Sequence, residues 1–110
     1  MRAVVTPEDA TQALEDSRHH VVVVYKHSPI CDLSARAHDE MNAFLDAAPA
    51  AVDVRIVDVL SSRPASQRFE AQTGVRHESP QVLVLRDGDV VWNASHRRIT
   101  AQAVAEALAL

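Results

Sequence analysis

Val21–Ser34 reads VVVVYKHSPICDLS: an apolar run, a short polar turn with a proline, and then the chain's one cysteine. Valine is stiff at χ1 and crowds a helix, whereas a short unbroken apolar run with polar flanks suits a strand covered on both faces. A central strand is therefore expected over Val21–Tyr25. The turn Lys26-His27-Ser28-Pro29 should end it, because proline lacks a donor and restricts the residue before it. Beyond the turn, Leu33, Ala37, Met41, Phe44 and Ala48 recur at steps of three and four, while Asp32, Arg36, Asp39, Glu40 and Asp46 fall largely elsewhere. That spacing predicts an amphipathic helix from Cys31 to about Ala47, closed by Pro49.

Downstream, Val52, Val54 and Ile56 alternate with Asp53 and Arg55, the pattern of a half-buried strand ending near Val59. Strand, helix and strand from Val21 to Val59 then make a parallel crossover unit. A helix is expected over Arg63–Thr73, with Ser62 as its cap, Pro64 in its first turn and Gly74 as a left-handed stop. Two β-rich runs, Gln81–Arg86 and Asp89–Ala94, flank Asp87-Gly88, a dipeptide favoured in tight hairpins. Thr100 caps a last helix with Val104 and Leu108 on one face. Upstream, Thr6-Pro7-Glu8-Asp9 is a helix start, and that helix should run to about Ser17 as an outer element with the narrow stripe Ala10, Ala13 and Leu14.

The length of 110 residues fits one domain spanning 1–110, large enough to bury a core unaided. A net charge of −4 with no basic patch argues against nucleic acid as a partner. No apolar stretch approaches the roughly 20 residues of a membrane span, and the first residues hold no apolar signal region. No membrane partner is expected, and a cytoplasmic location is. One cysteine excludes an internal disulfide and a multi-cysteine zinc site. The six histidines show no metal-ligand spacing, so no metal site is expected; His38, on the helix after Cys31, should face water. Trp92 is expected to pack within the hairpin.

After the leading helix the order is strand, helix, strand, helix, hairpin, helix. This order resembles the thioredoxin arrangement, which implies an α/β fold whose central four-stranded mixed sheet, a βαβ unit plus a β-hairpin, is flanked by helices, with a cis-proline opening the first hairpin strand. Cys31 and Pro80 fall at the reactive-cysteine and cis-proline places. The resemblance narrows further. KHS at Lys26–Ser28, Cys31 with Ser34, RPAS at Arg63–Ser66, HESPQV at His77–Val82 and VVWNASHRRIT at Val90–Thr100 together resemble the bacilliredoxin-like, YtxJ-type proteins of bacillithiol-using bacteria, over almost the whole chain. Such proteins usually carry a Cys-Pro-Ile-Ser motif; here it reads Cys31-Asp32-Leu33-Ser34, with the proline at Pro29.

Thiol–disulfide exchange needs an exposed, ionisable sulfur. The expected catalytic pair is Cys31, as nucleophile, and Ser34, whose hydroxyl would reach back to the sulfur. Lys26 and His27 would add positive charge, which Asp32 opposes. Lys26, His27, Ser28, Pro29, His77, Ser79, Pro80 and His96 are the expected substrate-binding residues. Of these, Ser79 would offer its backbone to a substrate peptide, and His96 is carried by the resemblance alone. Serine in place of a second cysteine makes the chemistry monothiol. The resemblance implies a thiol–disulfide oxidoreductase that reduces protein–bacillithiol mixed disulfides through Cys31, with no bound cofactor and with bacillithiol as co-substrate. Its partners would be bacillithiolated proteins and a redoxin or reductase that regenerates the thiol, and the expected state is a monomer. Two other classes remain open: an iron–sulfur carrier of the monothiol-redoxin type, and a non-catalytic thioredoxin-fold stress or adaptor protein.

Overall fold

A computed structural model describes residues 1–48 and 52–109. The elements are β1 (Arg2–Ala3), α1 (Pro7–Asp16), β2 (Val22–His27), α2 (Asp32–Ala47), β3 (Asp53–Asp58), α3 (Arg63–Thr73), β4 (Gln81–Arg86), β5 (Asp89–Ser95), a 3-10 turn (His96–Arg98) and α4 (Ala101–Leu108). The proposed stop at Pro49 lies outside the described residues. Among the described residues the sheet has five strands in the order β1-β3-β2-β4-β5, not four. The extra strand is the two-residue β1, which pairs parallel with Arg55 and Ile56. Two exposed residues carry neither alternation nor β-branching, so no local pattern marks them as a strand.

β2 is central, parallel to β3 and antiparallel to β4. It runs through Lys26 and His27, where a turn is expected, because Lys26 pairs with Gln81 and His27 with Asp58. Successive side chains of a strand point to opposite faces, and both faces are covered. Val23 and Tyr25 join Ala37, Met41 and Phe44 of α2 and Val104 of α4 in one core; Val22 and Val24 join Ala10, Ala13 and Leu14 of α1 and Phe69 of α3 in the other.

β3 is likewise covered on both faces rather than half-buried. Val54 packs in the α2/α4 core, Val57 in the α1/α3 core, and Arg55 is only 3% exposed. The guanidinium is tolerated there because it is paired. Arg55 Nε donates to Asp53 Oδ1 at 3.0 Å, and Nη2 donates to Asp53 Oδ2 at 2.7 Å and to Asp16 Oδ2 of α1 at 2.6 Å. α1 begins as expected: Thr6 Oγ1 accepts from the Asp9 N–H, and the Asp9 carboxylate accepts from the Thr6 N–H, a reciprocal cap. At α3 the expected Ser62 cap makes no side-chain hydrogen bond; the preceding turn is held by the Asp58 carboxylate, which accepts from the Leu60 and Ser61 N–H groups. Gly74 stops α3 at φ 75°, and the hairpin turns through Asp87 (φ 55°) and Gly88 (φ 82°), the two left-handed residues that a type I′ turn requires. Trp92 packs against the α2/α4 core.

Candidate active site

The parallel strands β2 and β3 deliver their following loops to one end of the sheet, where Cys31 sits. Cys31 is the N-cap of α2, with extended backbone (φ −106°, ψ 130°) and partial exposure. Its carbonyl accepts the Ala35 N–H at 3.0 Å, but its side chain makes no cap hydrogen bond. The first-turn N–H groups of a helix have no intrahelical partner and carry the positive end of its dipole. A sulfur anion at the N-cap therefore meets unsatisfied donors, while the exposed Asp32 beside it adds opposing charge.

Ser34 is fully buried and is tied to the turn rather than to the sulfur. Its Oγ accepts the Ser28 N–H at 3.3 Å, closing the segment that presents Cys31, and among the described residues no hydrogen bond joins it to Cys31. Ser28 is buried with it, while Pro29 and Ile30 are exposed, Ile30 at 80%.

Strand alternation separates the two cationic candidates. Lys26 points into the α1/α3 side, fully buried, with Nζ donating to the Ser66 carbonyl at 3.3 Å and to His77 Nδ1 at 3.1 Å. Burial pushes its ammonium down to about 8, against a smaller pull upward from Glu70. It therefore stands across the sheet from α2, held by Ser66 and His77. His27 points to the α2 side and packs against two rings, Tyr25 (centroids 5.6 Å apart) and His38 (4.7 Å), with Nδ1 at 2.9 Å from Tyr25 Oη. Burial and then the His38 ring hold its imidazole below the usual histidine range, with Asp58 opposing, so at pH 7 it is mainly neutral.

The remaining candidates lie on the segment entering β4. The Ser79–Pro80 peptide is cis, and the Ser79 Oγ is buried without a hydrogen-bond partner. The buried Pro80 offers its carbonyl to the His96 N–H at 3.0 Å. His96 sits at φ 57°, half-exposed, with Nδ1 at 3.8 Å from Glu78 Oε2. His77 is exposed as a residue, yet its Nδ1 is held by Lys26 and by Ser66 Oγ at 3.1 Å. The structure thus pairs His77 with Lys26, and His96 with the Pro80 carbonyl, as two separate constellations.

Three side chains that build this end of the sheet are absent from the expected set. His38 is partly buried: its Nδ1 is buried without a partner, and its ring stacks on Tyr25 with centroids 6.0 Å apart. Tyr25 Oη donates toward the Ser34 carbonyl at 3.4 Å, which places a phenol under the first turn of α2. Burial raises the Tyr25 phenol above its usual value, so it stays protonated. Gln81 is 2% exposed; its Nε2 donates to the Arg76 carbonyl at 2.9 Å and its Oε1 accepts from the Glu78 N–H at 3.4 Å, pinning the loop that carries Pro80. A glutamine opening an otherwise apolar strand is the signal that could have found it. Among the described residues, no group of three or more His, Cys, Asp or Glu could hold a metal ion, and no helix is long and apolar enough to cross a membrane.

Residues 2–104 match the family model described as monothiol bacilliredoxin BrxC. The chain belongs to the monothiol bacilliredoxin family. A solved structure described as a candidate oxidoreductase with a thioredoxin fold is 32% identical, with a TM-score of 0.82 over 96% of this chain and 91% of that one. Thioredoxin from Fasciola hepatica superposes with a TM-score of 0.76 at 18% identity, covering 99% of this chain and 97% of its own. Thioredoxin from Malassezia sympodialis gives 0.75 at 15% identity, covering 99% and 88%. The last two are similar in fold alone. This bacilliredoxin is accordingly a thioredoxin-fold protein of redox function.

Proposed function

We propose that this bacilliredoxin is a monothiol oxidoreductase that reduces protein–bacillithiol mixed disulfides through Cys31. One observation carries the reading: in a chain of this family, the sole cysteine stands partly exposed at the N-cap of α2, its sulfur uncommitted by any cap hydrogen bond, with serine at the fourth position of the motif. The Cys31 thiolate attacks the bacillithiol sulfur of the mixed disulfide. A Cys31–bacillithiol disulfide forms, the original S–S bond breaks, and the protein leaves as a thiolate that takes up a proton. A second thiol, from free bacillithiol or another redoxin, then attacks the bacillithiol sulfur, forms a new disulfide with it and restores the Cys31 thiolate. Ser34 acts on geometry, holding the Ser28–Ser34 turn closed so that the sulfur stays at the helix terminus. The Ser79–Pro80 segment would offer the Ser79 backbone to a docked substrate peptide.

Intact-mass spectrometry after incubation with a bacillithiol-capped model protein tests this. One bacillithiol adduct should appear on the wild-type chain, with release of the reduced model protein, and none on Cys31→Ser. A folded wild-type chain whose thiol alkylates readily but takes up no adduct would remove the reading and return the iron–sulfur and adaptor classes to first place.

A further inference from the structure

Behind α3 lies a charge that the chemistry at Cys31 does not use. The Lys26 ammonium is completely buried, its partners are a carbonyl and an imidazole nitrogen, and among the described residues no carboxylate forms an ion pair with it. A buried cation left without an anion is expensive. Beside it opens a cavity of about 340 Å³ between Leu60, Arg63, Ser66, Gln67, Glu70 and His77, within the range of about 300–1,000 Å³ common for small-molecule sites.

The two residues that hold the ammonium, Ser66 and His77, also form the cavity wall. An ammonium can only donate, so His77 Nδ1 must accept from it and the ring proton resides on Nε2. Burial and then the neighbouring Lys26 hold this imidazole below the usual range, which keeps it neutral at pH 7. The cavity wall thus contains His77, with its ring proton on Nε2, together with the exposed Arg63 and Gln67. Glu70 is the acidic member of the wall, and its carboxylate is engaged by the His77 backbone N–H. The cavity adjoins the end of the strand that leads to the thiol: Val59, also in its wall, donates its N–H to the His27 carbonyl at 2.9 Å, just ahead of the turn that ends at Cys31.

We propose that this cavity is a carboxylate-binding subsite, in which Arg63 and His77, backed by the buried charge of Lys26, hold the acidic end of the low-molecular-weight thiol transferred at Cys31. The inference rests on the thiol-transfer reading above and assigns a place to the malic acid unit of bacillithiol. The same chemistry would accept a carboxylate from the protein that carries the thiol, and the test separates the two sources.

In the binding arm, the wild-type chain is titrated with L-malate and with its neutral diamide, observed by amide NMR. Malate should shift the Ser66 and His77 signals saturably, the diamide should not, and Arg63→Gln, a change at an exposed position, should weaken malate about tenfold. In the transfer arm, one model protein is capped either with bacillithiol or with neutral mercaptoethanol. Wild type should show a lower half-saturation concentration for the acidic cap, and Arg63→Gln should shrink that preference fivefold or more without a matching change in the ratio of turnover numbers. The proposal is overturned if malate gives no saturable shift at the cavity, if the preference survives Arg63→Gln, or if it follows the carrier protein and not the cap. Malate binding without transfer from either cap would leave the subsite standing and discard the thiol-transfer reading.

Discussion

Lys26 shows how a side chain that adjoins the thiol turn in sequence can be directed elsewhere by its strand. In sequence it adjoins the thiol turn and reads as a cation for a thiolate; strand alternation sends it to the other face of the sheet. Its burial has a thermodynamic signature. The ammonium ordinarily titrates at 10.5 and is pushed down to about 8 here, so between those values the unfolded chain binds more protons than the folded one, and stability rises with pH. The penalty, on the order of 3 kcal/mol, is fully present below about pH 8 and fades toward 10.5. Lys26→Met should therefore be more stable than wild type at pH 7 by about 1–3 kcal/mol, and the gap should narrow by pH 9.5. Urea unfolding at both pH values measures this; a variant less stable at pH 7, or a gap that widens, would contradict it. Tyr25, whose phenol is raised by burial, acts in the opposite sense only as pH passes the usual tyrosine range, so the window below it isolates the lysine.

At the scale of elements, the turn between β2 and α2 is closed by the Ser34 hydroxyl. Ser34 Oγ accepts the buried Ser28 N–H, and removing an acceptor from a buried donor costs about 1–3 kcal/mol. Ser34→Ala should lower stability by that amount and should speed amide exchange at Ser28, read by hydrogen-exchange NMR. Unchanged exchange at Ser28 would show that the serine does not hold the turn. The boundaries of α2, α3 and the hairpin follow from local chemistry: apolar spacing from Ala37 to Phe44, Gly74 at φ 75°, and Asp87-Gly88 with both residues left-handed. Where an element depended on a distant partner, local reading failed. β2 extends through His27 because Asp58 pairs with it, and β1 exists only because Arg55 and Ile56 receive it.

For the whole molecule, the charge cluster Arg55–Asp53–Asp16, with His20 at 2.7 Å from Asp53, ties α1 and β3 together on the side of the sheet away from α2. The Arg55 hydrogen bonds hold the Asp53 carboxyl down to about 2, and the Gln12 amide followed by Arg55 lowers Asp16. A carboxylate depressed in the fold stabilises it above its unfolded value of 3.8 and loses that contribution as pH falls through the folded one. Asp53 alone supplies roughly 2 kcal/mol by this route. Stability of the wild type should thus fall between about pH 5 and pH 2, and Asp53→Asn should be less stable at pH 7 with a shallower fall. Equal acid slopes for the two proteins would show that the cluster does not act as described.

By itself the sequence determined the order of the long elements, the place of its one cysteine at a helix start, and the family. All of these rest on interactions within a few residues or on motifs read directly from the chain. The tertiary structure alone decided what each polar residue near the thiol does. Lys26 and His27 are adjacent, yet pairing of β2 with β3 and β4 sends one under α3 and the other against His38. Ser34, His38, Arg55 and Gln81 look like surface residues in a one-dimensional pattern, and each is drawn inward by a partner distant in sequence or across a turn. Periodicity reports which residues share a face; only the packed sheet determines what that face meets.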